Sequence, residues 1–300
     1  MKTKTVKKVI IKKLNNWLET IEDVTLRDQV RDNILVSGGC IASMLTKEPI
    51  NDFDVYIKDM DVLMKLSEHY CGKKVLDGRK RDFYLKDRFP KVFENNGLMQ
   101  DGEKYVAEHY VRISNLKPDQ VKLDINGVGE RIKINKETDK YKPVFLSQNA
   151  ISLSNDIQIV LRFHGDNEQI HKTFDFIHAT NYFTFKEGLI LNSNALESLL
   201  TKTLVYQGSL YPLTSIIRMK KFLARGYTIN AGEILKIMFQ ISELDLKDIE
   251  VLEEQLIGVD VAYFSTLIDA LRNVNPEKLT SSYMNEIIDR VFNSYEEDSE

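Results

Sequence analysis

The stretch from residue 35 to residue 57 constrains the fold more than any other part of the sequence. An apolar run at residues 34–36 meets a Ser-Gly-Gly turn at residues 37–39, and residues 40–46 can continue as a short helix. Residues 52–57 then alternate polar and apolar side chains, as a half-buried strand does. This order predicts two strands of one sheet, connected through a tight glycine turn and a helix.

Two aspartates stand at the start of the second strand. Side chains two positions apart on a strand point to the same face, so Asp52 and Asp54 are expected to project side by side. Adjacent carboxylates repel each other unless a cation lies between them, and carboxylate oxygens are ligands that Mg²⁺ prefers. Gly38 and Gly39 would let backbone N–H groups approach a phosphate, and the following helix adds partial positive charge. An isolated Asp-x-Asp pair usually lies on the solvated face of a strand. The two aspartates together with the glycine turn and the following helix predict a triphosphate site.

The segment at residues 35–57, LVSGGCIASMLTKEPINDFDVYI, resembles the signature of the polymerase-β-like nucleotidyltransferase superfamily, in particular its branch of CCA-adding enzymes and poly(A) polymerases. Two later segments are similar to motifs of that branch and occur in the same order. Residues 172–179, KTFDFIHA, resemble its Asp-Phe-Thr-Ile-Asn-Ala strand motif. Residues 212–229 resemble its neck helix, in which basic residues precede a Gly-Phe-Thr-Ile ending.

The resemblance implies a magnesium-dependent nucleotidyltransferase that moves a nucleoside monophosphate from a triphosphate such as ATP to an acceptor hydroxyl and releases pyrophosphate. Asp52 and Asp54 would bind two Mg²⁺ ions. Asp175 is the candidate third carboxylate, which would bind metal or accept the proton of the acceptor hydroxyl. The residues expected to contact the nucleotide are Ser37, Gly38, Gly39, Arg162, Arg218 and Lys221.

Each of these assignments has an alternative. Asp175 can instead bond to backbone, with Asp124 as the rival third carboxylate. Arg162 can form a surface salt bridge, and Arg218 and Lys221 can occupy a solvated helix face. Lone histidines such as His171 and His178 are more often structural than catalytic.

The chain also departs from the pattern of the branch. Ala42 and Ser43 stand where the branch usually has Arg-Asp, shortly after the second glycine. Thr173 and Phe174, before Asp175, replace a pair of arginines. Thr214, soon after Pro212, replaces a further arginine. The Glu-Asp-x-x-Arg element through which the branch selects the incoming base is not found. The sequence therefore does not say which nucleotide is added.

Three functions remain open. The first is a template-independent transferase that acts on an RNA 3′ end, of tRNA or another small RNA, as the neck-helix motif and two basic segments favour. The second is the same chemistry on a protein or a small molecule. The third is a nucleotidyltransferase fold that has lost activity and serves as a binding or regulatory module. The replaced arginines favour this last function, whereas the intact Asp52 and Asp54 oppose it.

Periodicity along the chain predicts an α+β fold: a nucleotidyltransferase head with a mixed sheet and flanking helices, followed by an all-helical neck and body. An amphipathic helix is expected at residues 6–21, and the apolar runs at 157–163 and 174–179 suit buried strands. Helical patterns dominate after about residue 190. These patterns divide the chain into a head at 1–188, with an irregular basic insertion at about 73–145, and a body at 189–300.

Composition restricts the setting of the protein. The net charge of −4 argues against a generally basic nucleic-acid coat, although residues 73–91 and 201–225 are locally basic. No apolar run approaches the roughly 18 to 20 residues of a membrane span, so no membrane partner is expected. Cys40 and Cys71 suggest neither a disulfide framework nor a zinc site. A cytoplasmic protein is expected, and its oligomeric state is not readable.

Overall fold

The computed structural model describes residues 2–72, 74–77, 110–115, 121–124, 139–147, 149–255, 262–272, 274 and 280–297. The chain forms two compact units. The first comprises Met1–Thr173 and His178–Leu199, and the second comprises Phe174–Ile177 and Leu200–Glu300. Residue 188, where the sequence predicts the end of the head, lies inside the first unit. The fold is α+β, as predicted.

A mixed sheet organises the first unit, and seven of its strands lie among the described residues. In spatial order they are β10 (Gly188–Ile190), β9 (Tyr182–Thr184), β1 (Ile34–Ser37), β2 (Phe53–Ile57), β8 (Ile157–Val160), β7 (Ala150–Leu153) and β6 (Pro143–Leu146). The strands β1 and β2 pair antiparallel, with Val36 opposite Val55. The strands β2 and β8 pair parallel, with Phe53 opposite Ile157. The end of β1 and the start of β2 therefore meet at the same end of the sheet.

Helices cover one face of this sheet. They are α1 (Thr3–Leu18), α2 (Val24–Asn33), α3 (Gly39–Thr46) and α4 (Met60–Cys71). The predicted amphipathic helix is confirmed, because the apolar stripe of α1 is fully buried in one core with Val36, Val55 and Ile57. The helix α2 was not predicted. It begins at Asp23, whose side chain accepts the N–H of Leu26, and only Leu26 and Val30 are buried on it.

The opposite face of the sheet carries polar groups near its centre. Side chains alternate along each strand, so Ser37, Asp54 and Gln158 lie on the face opposite to Val36, Val55 and Ile157. Asp54 and Gln158 are direct register partners. The polar side chains are thus gathered where β1 ends and β2 begins.

The remaining elements are mostly helical. They are β3 (Lys74–Asp77), β4 (Tyr110–Asn115), β5 (Val121–Asp124), α5 (Asn167–His171), a 3₁₀ turn (Ile177–Ala179), α6 (Ser193–Thr201), β11 (Thr203–Leu204), α7 (Pro212–Ala224), β12 (Thr228–Ile229), α8 (Ala231–Ser242), α9 (Ile249–Gln255), α10 (Ala262–Arg272) and α11 (Ser281–Glu297). In the second unit, Leu252, Leu271 and Ile287 form a small core. The change to helical periodicity after residue 190 is confirmed by α7, α8 and α10.

One predicted strand is wrong. Residues 174–179 form a single antiparallel bridge, Phe176 to Tyr206, and then a 3₁₀ turn. The Asp175 side chain accepts the N–H of Phe176, the next residue, which bends the chain locally. Most of the predicted insertion lies outside the described residues. Among the described helices, none is both long and apolar enough to cross a bilayer.

Candidate active site

The turn at Gly38 is the most constrained part of the site. Gly38 has φ +96° and ψ −153°, a conformation that is essentially restricted to glycine, and it caps α3 without any side-chain hydrogen bond. Its own N–H donates to Ala179 O at 3.1 Å. The predicted phosphate contact therefore falls to N–H groups of the first turn of α3, beginning at Gly39. A Cβ built on Gly39 would meet no atom within 4 Å, so its outer side is open.

The Asp54 carboxylate lies against this turn. A Cβ placed on Gly38 would lie 3.1 Å from Asp54 Oδ2, so only a glycine leaves the carboxylate where it is. Asp54 is half-buried, whereas Asp52 is exposed and stands just before β2. The structure thus brings together the glycine turn and the second aspartate of the motif, where β1 ends and β2 begins.

Both aspartates exert their charge on the first turn of α3. The pKa of the Cys40 thiol is raised above its usual value, first by burial and then by the negative charge of Asp54, with Asp52 adding to it. Cys40 is therefore a neutral, buried thiol. The same negative field favours a cation near the two carboxylates.

The Ser37 side chain is buried, whereas its predicted role in nucleotide binding suggests an exposed one. Its Oγ lies 2.9 Å from His171 Nε2, 2.9 Å from Asn181 O and 3.3 Å from Ala179 O. A hydroxyl has one proton, so when Ser37 donates to a carbonyl, His171 Nε2–H donates to Ser37. Ser37 thus fixes the end of β1, and nucleotide binding by its side chain remains a prediction.

His171 is expected to make the stability of the protein depend on pH. Burial lowers its pKa from 6.5 to about 4. The unfolded chain takes up this proton near pH 6.5 but the folded chain does not, so stability falls as the pH drops from 6.5 to 4. Chemical unfolding across this range should show a steeper loss for the wild type than for His171→Gln. Parallel curves for the two proteins would contradict this expectation.

Asp175 and Arg218 meet within the second unit. Arg218 Nη1, on α7, donates to Asp175 Oδ2 at 3.0 Å, and Asp175 Oδ1 accepts the N–H of Phe176 at 3.0 Å. The Asp175 side chain is 11% exposed and that of Arg218 is 39% exposed. Lys221, on the same helix, is exposed. Metal binding by Asp175 and nucleotide binding by Arg218 and Lys221 remain predictions.

Removing Arg218 is expected to destabilise the second unit. Arg218→Met leaves a mostly buried carboxylate without its cation, which costs about 1–2 kcal/mol after allowance for the exposure of the pair. Adding Asp175→Asn should recover part of this loss, because the uncompensated charge is then gone. Urea unfolding of both variants tests this, with Lys220→Met on the exposed side of the same helix as the control. Equal stability of Arg218→Met and the control would contradict the role of the pair.

Arg162 lies just beyond the end of β8, and its contact with the nucleotide remains a prediction. Arg162 follows the end of β8 by two residues and comes four residues after Gln158, the register partner of Asp54. Arg162 is 2% exposed and donates through Nη1 to Asn149 Oδ1 at 3.4 Å.

Gln158, the register partner of Asp54, was not singled out from the sequence. Its signal was the polar position within the run Ile157-Gln158-Ile159, which was interpreted as a wholly buried strand.

The residues present fit a magnesium site with a small number of protein ligands. No group of three or more His, Cys, Asp or Glu side chains that could hold a metal is found in the part of the chain that the structure describes. Mg²⁺ commonly takes only one or two carboxylates and completes its shell with waters and substrate phosphates. Asp52 and Asp54 supply two carboxylates, and that of Asp54 lies against the Gly38 turn, so they meet that requirement.

Comparison with known proteins gives a family match and weaker structural likenesses. The family described as "Gabija anti-defense 2 family protein" matches residues 8–202, more than half of the chain. A curated relative, "Gabija anti-defense 2" from Bacillus phage SPbetaL7, is 29% identical over 103 residues, which cover 34% of this chain and 26% of the relative. The match therefore spans only about a quarter of that relative's length.

Among solved structures, two CCA-adding enzymes are similar at low identity. The Thermotoga maritima enzyme complexed with tRNA is 13% identical, with 86% of this chain and 53% of that chain covered and a TM-score of 0.35. The Bacillus stearothermophilus enzyme in complex with CTP is 10% identical, with 83% and 50% covered and a TM-score of 0.35. Likeness at these TM-scores establishes neither activity nor substrate.

Proposed function

The chain belongs to the Gabija anti-defense 2 family, and on this premise we propose that it is a metal-dependent nucleotidyltransferase whose site is formed by Asp52, Asp54 and the Gly38 turn. One observation carries the proposal. The Asp54 carboxylate lies so close to Gly38 that a Cβ there would be 3.1 Å from Oδ2. A carboxylate suited to Mg²⁺ and a backbone suited to phosphate are therefore neighbours.

The roles of the residues follow from their positions. Asp52 and Asp54 would hold Mg²⁺, which lowers the pKa of an acceptor hydroxyl and neutralises charge on the triphosphate. The first turn of α3 has no side-chain cap, so its N–H groups and partial positive charge can bind phosphate oxygens. Gly38 keeps this turn open, and Ser37 fixes it to the interior. The protein supplies positioning and charge, as phosphoryl transfer generally requires.

The proposed reaction balances without any further reactant. The acceptor hydroxyl loses its proton, and its oxygen forms a bond to the α-phosphorus of the nucleoside triphosphate. The bond between the α-phosphorus and the bridging oxygen to the β-phosphate breaks, and pyrophosphate leaves. Asp175 remains a candidate to accept the proton, although Arg218 holds its Oδ2.

An RNA 3′ end is the acceptor that the sequence motifs favour, with a protein or small molecule as the alternative. The family name adds a biological setting. We propose that this chain, like the family it belongs to, acts against Gabija defence, and that nucleotidyl transfer serves this action. Neither the target nor the nucleotide follows from the site.

A non-catalytic module is the second candidate. It is favoured by Ala42 and Ser43, and by Thr173 and Phe174, which stand where the similar branch has Arg-Asp and a pair of arginines. In that case the site would bind a nucleoside triphosphate without transferring any part of it.

The experiment that separates these functions supplies each of the four ribonucleoside triphosphates, labelled at the α-phosphate, with Mg²⁺ and three acceptor pools: small RNAs, cell protein and metabolites. Label on RNA, lost when EDTA is added, is the expected result and identifies the nucleotide. Label on protein or metabolites would move the proposal to that acceptor. Triphosphate binding with no labelled acceptor would favour the non-catalytic module.

A further inference from the structure

The outer surface of α1 carries a dense set of lysines. Residues 2–18 contain six lysines and no acidic residue, in a chain whose net charge is −4. Five of the six are exposed: Lys2, Lys4, Lys7, Lys8 and Lys12. The sixth, Lys13, is turned to the protein and pairs with Asp156 at 3.4 Å. The exposed positive charge of α1 is therefore much greater than the composition of the chain suggests.

Three of these lysines form a line, named here the lysine stripe: Lys4, Lys8 and Lys12. They are four residues apart, so they lie on one face of the helix, with about 6 Å of rise between neighbours and about 12 Å in all. None of the three pairs with an acid among the described residues. The stripe offers three evenly spaced cations to solvent.

This arrangement weakens the helix that carries it. Like charges four residues apart repel, and positive charge near a helix N-terminus opposes the helix dipole. The first turn of α1 has no acidic residue to offset this. Among the described residues the stripe therefore has no acidic partner to offset this repulsion, whereas a bound polyanion would remove it.

The rest of α1 argues against a membrane or a protein as that polyanion. A helix that lies on a membrane inserts an apolar face, but the apolar face of α1 is buried in the core through Val6, Ile10 and Leu14. Protein interfaces are depleted in lysine and enriched in aromatic side chains, and the exposed face of α1 has no aromatic residue. Val9 and Ile11, the apolar residues beside these lysines, pack against the core, and exposed lysines suit phosphates, which they bind without regard to sequence.

We propose that the lysine stripe of α1 is a binding surface for the phosphate backbone of single-stranded RNA. The inference rests on the proposed function in one respect, the choice of RNA as the polyanion, because RNA is the acceptor that the sequence motifs favour. The stripe would hold the body of the RNA by its backbone, while the Asp54 site acts on an end. Binding at the stripe needs neither Mg²⁺ nor nucleotide.

Salt dependence of binding tests the stripe. The full-length protein is titrated with a labelled 20-nucleotide RNA of mixed sequence in EDTA, without any triphosphate, over a series of salt concentrations. The triple variant Lys4→Gln/Lys8→Gln/Lys12→Gln should lose at least about tenfold in affinity at low salt, and its log–log salt slope should decrease in magnitude by about 2, since each phosphate contact contributes roughly 0.7. Lys65→Gln/Lys172→Gln/Lys247→Gln, at three exposed positions elsewhere, changes the net charge equally and serves as the control.

Several outcomes would overturn the inference. Equal losses in the stripe variant and the control would mean that only net charge matters. Unchanged binding in the stripe variant would place the RNA elsewhere. Stripe-dependent binding to vesicles of phosphatidylserine and phosphatidylcholine, with no binding to RNA, would make the partner a membrane. Because no transfer occurs in this assay, its result is independent of whether the chain is an active transferase.

Discussion

Asp52→Asn/Asp54→Asn is expected to lose at least about a thousandfold in nucleotidyl transfer. A bound metal supplies several kcal/mol of charge stabilisation in such reactions, and each 1.36 kcal/mol changes the rate tenfold. Asparagine keeps the shape of each side chain but removes the charge that would hold Mg²⁺. The rate of label transfer from an α-labelled triphosphate, measured with saturating Mg²⁺ and RNA, gives the effect directly.

The same variant should remain folded. Asp52 is exposed and Asp54 is half-buried, and in the absence of a cation their charges repel each other. Thermal unfolding of the double variant is therefore expected at or slightly above the wild-type temperature. Asp156→Asn is the control for removing a carboxylate from this part of the sheet. Asp156 directly precedes β8, the strand that pairs with β2, but its side chain is 63% exposed and pairs with Lys13. A double variant that keeps more than a tenth of the wild-type rate would refute the role of the two aspartates.

Gly38→Ala is expected to reduce both stability and activity. The backbone at φ +96° and ψ −153° strains any residue with a Cβ by about 1–3 kcal/mol. The new methyl group would also lie 3.1 Å from Asp54 Oδ2, so the carboxylate must shift by a few tenths of an ångström. Displacements below 1 Å can lower the rate strongly, and a loss of at least about tenfold is expected.

Gly39→Ala is the control for adding a methyl group to this turn. Gly39 lies in the first turn of α3, where alanine is a good helix former, and its Cβ would meet no atom within 4 Å. Its stability should therefore match or exceed that of the wild type. Urea unfolding of the two variants compares strain at one glycine with open space at the next. If Gly38→Ala unfolded at the wild-type urea concentration, the strain at this turn would be absent.

Much of the first unit could be predicted because its elements have strong local patterns. The apolar residues of α1 repeat at helical spacing over four turns. The elements β1, α3 and β2 are separated by glycine and polar residues. By contrast, the sequence VTLRDQVRDN of α2 has only Leu26 and Val30 as buried residues, so its periodicity is faint. The N-cap Asp23 was the signal that could have identified it.

The strand predicted at residues 174–179 does not form because of long-range contacts. The apolar run Phe-Asp-Phe-Ile has the composition of a strand, yet its backbone bonds to the loop before α7: Ile177 N–H donates to Val205 O and Gln207 N–H to Asp175 O. Partners about thirty positions away decide its conformation, and no local pattern encodes them.

In the candidate site, too, local features could be predicted and long-range contacts could not. The pairing of Asp54 with the Gly38 turn follows from the order of two adjacent strands, which the sequence reveals. The hydrogen bond between Ser37 and His171 joins residues 134 positions apart, and the ion pair of Asp175 with Arg218 joins residues 43 positions apart. Such contacts depend on the packing of whole elements, so side-chain types alone could not place them.

The most direct measurement of the central claim compares two labels in parallel reactions. The nucleoside triphosphate is labelled at the α-phosphate in one sample and at the γ-phosphate in the other, and the protein is given Mg²⁺ and the acceptor pool. Nucleotidyl transfer predicts α-label on the acceptor, γ-label only in pyrophosphate, and equal amounts of the two products. Acceptor that carries the γ-label, or triphosphate that is hydrolysed without any labelled acceptor, would contradict the claim.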